Sequence, residues 1–148
     1  MTRYLRLSSR GLLALIFIIS GLGKLAAFNQ TKEFMGASGL PFPGLLLIAA
    51  IAIETIGGTC LLLGYKTKLS AAALAGFLVP VTLVFHASHL ADPTQSQMQM
   101  VETLKNLAII GGLLRLATDG AGSVAIDNSV HGRSIEPLST TTSARLSS

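Results

Sequence analysis

The sequence predicts an all-α integral membrane protein: a four-helix bundle with a short interfacial helix between the first and second spans. Three observations carry that expectation. Half of the 148 residues are hydrophobic and only 12% are charged, whereas a soluble domain keeps about 25% charged residues to wet its surface. Mean hydropathy is +0.62. The apolar residues also gather into four blocks, each close to the roughly 20 residues that cross a hydrocarbon core.

The first span is placed at 11–28. Its basic leader followed by "GLLALIFIISGLG" has the form of a secretory signal peptide, but a small-x-small cleavage site is missing and three more spans follow. Retention as a signal anchor is therefore expected. Within "NQTKEFMGASGLPFPG", residues 29–37 form the interfacial helix before Gly39, Pro41 and Pro43 turn the chain back. The second span covers 44–65, the third 69–90 and the fourth 101–118, with a tight connection at 64–68. Pro80 removes a backbone hydrogen bond inside the third span and predicts a kink. The polar stretch "ADPTQSQMQM" is a loop with Asp92-Pro93 as its turn signal. The chain after Gly120 is Ser/Thr-rich with little to bury; the membrane domain is placed at 1–127 and 128–148 is expected to be a disordered cytoplasmic tail.

Cations fix the expected orientation, because positively charged flanks stay in the cytoplasm. Arg3, Arg6 and Arg10 precede the first span, Lys66 and Lys68 lie in the second connection, and Arg115, Arg133 and Arg145 mark the last end. The first connection has only Lys32, beside Glu33, and the third has none. Both termini are thus expected in the cytoplasm, with the lipid bilayer of a bacterial inner membrane as the main partner. The net charge of +4 follows from this asymmetry, so no nucleic-acid partner is expected. Cys60 is the single cysteine; without a second thiol there is no CxxC redox chemistry, and it reads as a packing residue.

One residue breaks the apolar pattern of the second span. Glu54 is the only charge between Leu45 and Tyr65. Roughly ten Leu and Ile in this span each favour insertion by about 0.3–0.6 kcal/mol, against a cost of about 2.5–3.5 for a central charge, so the helix inserts despite the acid. The acid must then turn inward, since hydrocarbon offers no hydrogen-bond partner. Gly57 and Gly58 share its face and admit a neighbouring helix. Candidate partners come from every other span: Lys24 with Ser20 and Gly21 on the first, His86 with Thr82 and His89 on the third, Lys105 and Asn106 with Glu102 on the fourth. The expected picture is a polar pocket open to the outer face with Glu54 as its floor. Each member also has a plainer role: a paired structural carboxylate for Glu54, and snorkelling to the interface for Lys24 and Lys105. His86 and His89 at i, i+3 lack an evident third ligand, so no metal is expected.

With those residues in view, "SGLGKL" at 20–25, "GLPFP" at 39–43, "IETIGGTCLLLGYKTKLSA" at 53–71, "FHASH" at 85–89, "KNLAIIGGLL" at 105–114 and "GAGSVAID" at 120–127 together resemble the DoxX family of small bacterial membrane proteins. The resemblance covers about residues 5–127. It implies a four-helix inner-membrane bundle, linked in relatives to thiosulfate:quinone oxidoreductase subunits and to membrane oxidoreductase complexes of thiol and oxidative-stress defence. The family's Glu-x-x-Gly-Gly, helix-end His and Lys-Asn fall on Glu54, Gly57, Gly58, His86, Lys105 and Asn106.

An acid, two lysines and a histidine inside an apolar bundle suit a quinone, whose ring buries among Leu, Ile and Phe while its oxygens need a hydrogen-bond donor and a proton source. On this expectation Lys24, Glu54, His86, Lys105 and Asn106 bind it, and Glu54 and His86 handle protons. No nicotinamide, flavin or iron–sulfur motif occurs, so electrons come from a redox protein partner. A noncatalytic accessory subunit, docking such a partner or a second copy through small-residue faces at Gly57/Gly58, 71–76 and Gly111/Gly112, is the alternative. A small proton-coupled permease is a third reading.

Overall fold

The computed structural model describes residues 2–85, 96–120, 122 and 125–127. Among these described residues five helices follow in order: α1 (Thr2–Ala26), α2 (Phe28–Ala37), α3 (Pro43–Leu63), α4 (Thr67–Phe85) and α5 (Ser96–Asp119). Three are long and apolar enough to cross a membrane: Tyr4–Ala26, Pro43–Leu63 and Thr67–Phe85. At 24 residues α5 matches them in length, but Glu102, Lys105, Arg115 and Asp119 dilute its hydropathy.

α1, α3, α4 and α5 make the four-helix bundle expected from the sequence. α1 packs most extensively on α3, and α4 on α5; α3 joins the two pairs, whereas α1 and α5 barely touch. The bundle is consequently a ring left ajar along the α1/α5 seam. Its core is built from Ala14 and Phe17 of α1, Leu61 of α3, Leu74 and Leu78 of α4 and Leu113 of α5. The opposite faces carry exposed Leu22, Ile56, Leu83 and Leu114, a distribution that suits contact with lipid and would be an aggregation hazard in water.

Local chemistry explains the element ends. Ala27 leaves helical geometry between α1 and α2. Gly39 takes φ +79° and Phe42 φ +49°, and Pro43 then opens α3 at a position where its missing N–H costs nothing. Gly64 ends α3 at φ +69°, its N–H donating to Leu61 O while that of Tyr65 donates to Cys60 O. α4 runs continuously through Pro80, burying Ala71, Leu74, Leu78 and Thr82 on one stripe.

Several boundaries differ from the sequence expectation. α1 begins at Thr2 and takes in the basic leader. Part of the loop expected before the fourth span is helical, because 96–100 is the first turn of α5; its Gln and Met residues favour helix. The other part, with Asp92-Pro93 and residues 86–90 of the third span, lies outside the described residues, as does the tail 128–148. The chain just after Gly120 is not idle, however. Asp127 accepts hydrogen bonds from the N–H groups of Lys66 (2.6 Å) and Thr67 (3.0 Å) and donates its own N–H to Gly64 O (3.0 Å). This carboxylate caps α4 from 60 residues away. Beside it, Arg10 is 2% exposed and its Nη2 donates to Leu62 O at the end of α3.

Candidate functional site

Glu54 sits halfway along α3 and is 4% exposed. Its position is set by how closely α1 approaches: a Cβ on Gly21 would lie 3.4 Å from Glu54 Cβ, and one on Gly58 would lie 3.1 Å from Ala14 O and 2.9 Å from Ile18 Cγ1. Side chains larger than hydrogen at Gly21 and Gly58 would hold the two helices apart. Lys24, one turn above Gly21, reaches back along this contact. Its ammonium donates to both carboxylate oxygens of Glu54 at 2.9 Å and to Ser20 Oγ at 2.6 Å. An ionised acid and its cation thereby cancel inside the bundle, which is the arrangement that makes a buried charge tolerable.

The remaining expected partners are distributed differently. Lys105 forms its ion pair with Glu102 one turn away on its own helix, not with Glu54. Asn106 is 6% exposed and donates through Nδ2 to Thr82 Oγ1 at 3.1 Å; that hydroxyl in turn donates to Leu78 O at 2.7 Å. His86 and His89 fall outside the described residues. Gly57 packs on Leu74 of α4 and Gly112 on Leu13 of α1, whereas a Cβ at Gly111 meets nothing within 4 Å among the described residues. One residue of helical rotation separates Gly111, on the exposed side of α5, from Gly112.

Two cavities flank the ion pair, where the sequence pointed to a single pocket. The larger, about 700 Å³, lies in the α1/α5 seam; Leu12, Ile16 and Ser20 form one wall, Lys105, Asn106 and Ile109 the other, with Glu54 and Leu78 at the floor. The smaller, about 360 Å³, lies under α2 between α3 and α4 and is mostly aromatic and aliphatic, with Lys24 at its edge. Lys24 and Lys105 thus face different spaces, and the Lys24–Glu54 pair stands between them. The split goes with the gap between α1 and α5, a tertiary property that spacing along one helix does not encode.

Arg10 and Asp127 were not singled out as structural residues by the sequence. Arg10 looks like one more orienting cation, and only the closing "GAGSVAID" run marks Asp127.

The DoxX family model matches residues 5–87, more than half of the chain, from the first turn of α1 to the end of α4. The chain belongs to the DoxX family. Among its relatives, the inner membrane protein YqjF of Escherichia coli (strain K12) is 38% identical over 121 residues, covering 82% of this chain and 88% of the relative. The inner membrane protein YphA of the same strain is 31% identical over 125 residues, covering 83% and 88%. The ER-derived vesicles protein ERV29 of Saccharomyces cerevisiae (strain ATCC 204508 / S288c) is 27% identical over 124 residues, but these are 33% of its length. No solved structure matches the chain. The DoxX match includes Lys24, Gly21, Glu54 and Gly58; Lys105 and Asn106 lie beyond it. Like the bilayer-facing sides of its helices, membership in DoxX marks this chain as a membrane protein.

Proposed function

We propose that this DoxX protein is a multi-pass protein of the bacterial inner membrane, with both termini cytoplasmic, and that it binds a quinone-type redox lipid in the cleft between α1 and α5. A single observation carries the reading: Glu54, buried and charge-paired, forms the floor of a lipid-facing cleft whose far wall presents Lys105 and Asn106. Leu12, Ile16 and Ile109 supply apolar walls for the ring, and an ammonium and an amide supply donors for its oxygens. Glu54 holds or gives up a proton at the closed end, steadied by Lys24. Electrons arrive from a partner protein, which makes the chain a subunit of a redox system rather than a self-sufficient enzyme.

The accessory-subunit alternative rests on Gly76 and Gly111, where a Cβ meets nothing within 4 Å among the described residues, since Gly57, Gly58 and Gly112 are occupied by contacts inside the bundle. Titration of the purified protein with ubiquinone and menaquinone analogues tests the proposal. Wild type should bind saturably, Glu54→Gln and Lys105→Met about tenfold or more weakly, and His86→Ala reports whether that histidine contributes. Equal absence of binding in all four proteins overturns it.

A further inference from the structure

The cavity under α2 is separate from the cleft and has its own chemistry. It is a half-open pocket lined by Phe34 of α2, Ala50 of α3 and Phe77 and Val81 of α4, with a volume of about 360 Å³, at the small end of the range that holds ligands. That space takes a ring with a short substituent. Among the described lining residues the one charged group is Lys24, and its charge is already balanced by Glu54. An anionic ligand would have to compete with that carboxylate, and a cationic one would meet an ammonium. A neutral ligand escapes both penalties. One ammonium N–H directed between the two carboxylate oxygens serves both, a second serves Ser20, and the third is left for a neutral acceptor such as a ketone or ether oxygen.

The cover is suited to opening. α2 stacks Phe34 on Phe85 of α4, ring centroids 5.7 Å apart, and is flanked by the non-helical Ala27 on one side and the left-handed Gly39 and Phe42 on the other. We propose that this cavity is a second ligand site, taking a neutral, ring-bearing molecule with one hydrogen-bond acceptor held by Lys24, and that α2 is its lid.

The chain contains no tryptophan, so a single reporter can be placed at will. With Phe77→Trp in mild detergent, 4-bromoacetophenone should quench the fluorescence saturably. Filling the cavity with Ala50→Phe or, separately, Val81→Phe in that background should abolish the saturable part, with circular dichroism and thermal unfolding confirming the fold of each. Lys24→Met should weaken binding of 4-bromoacetophenone about tenfold, in line with loss of one charge-assisted hydrogen bond, and leave that of 4-bromoethylbenzene, which lacks the ketone, unchanged. Leu83→Trp, on the exposed side of α4, reports simple partitioning. Quenching that is linear and equal at positions 77 and 83, or saturable quenching that survives both filling substitutions in folded protein, overturns the proposal. None of these substituted positions lines the α1/α5 cleft; Lys24 alone touches it, through Glu54, so the two filling substitutions, which leave that pair in place, separate the result from the quinone reading.

Discussion

Changing Glu54 to Gln keeps the shape of the side chain and removes its charge, which isolates the contribution of the ion pair at the centre of the bundle. Lys24 Nζ donates to both carboxylate oxygens of Glu54, through one N–H directed between them, and to Ser20 Oγ through a second. Removing one partner of a buried pair costs about 3–5 kcal/mol, because the survivor is left uncompensated. The Glu54 side chain is 5% exposed but that of Lys24 is 29% exposed, so the lysine can recover part of its solvation by swinging toward the end of α1. That relief lowers the expected cost to about 2–3 kcal/mol. For a chain of this size about 2–4 °C of melting temperature accompanies each kcal/mol, giving a fall of roughly 5–10 °C. Lys24→Met leaves the buried carboxylate without that relief and should cost more, about 3–5 kcal/mol, and the double variant less than the sum, with a coupling of at least about 1.5 kcal/mol. Circular-dichroism melting in one mild detergent measures all four corners of this cycle. A coupling below about 0.5 kcal/mol would mean that the two groups do not act as a pair, and the reasoning about Glu54 would fail with it.

Three other substitutions probe distinct contacts. Gly58→Leu drives a side chain into Ala14 O and the Ile18 backbone and should cost about 1–3 kcal/mol or more through overpacking; Gly111→Leu, facing open space, should stay within about 0.5 kcal/mol in the same melting assay. Asp127→Ala removes the acceptor for the Lys66 and Thr67 N–H groups and should lose about 1–2 kcal/mol, with faster amide exchange confined to the start of α4. Thr82→Val strips Asn106 of its acceptor and should cost about 1–3 kcal/mol, whereas Thr82→Ser should restore most of it.

The helices were readable because apolar runs of membrane length have few alternatives, and Gly39, Pro43 and Gly64 punctuate them by their own backbone chemistry. Glu54 stood out because one carboxylate in a long apolar helix has to find a partner. Lys24 shares the inward face of α1 with Gly21, so its approach to α3 follows from small-residue spacing. Lys105 shows where such reading ends. Its sequence neighbour Glu102 and the distant Glu54 were both available acids, and the choice was made by the gap between α1 and α5, a tertiary property. The same gap divides the polar groups between two cavities. Arg10 and Asp127 escaped for a related reason: a charge at a helix end looks solvated until the chain segment that covers it is placed.

The quinone reading is tested most directly by irradiating an arylazido ubiquinone analogue with the protein in inner-membrane vesicles and locating the label by mass spectrometry. Labelling should fall on residues 12–20 of α1 and 105–109 of α5, be displaced by excess ubiquinone, and disappear when Ile16→Trp fills the cleft. Label confined to outward residues such as Leu83 and Leu114, and indifferent to excess ubiquinone, would contradict it.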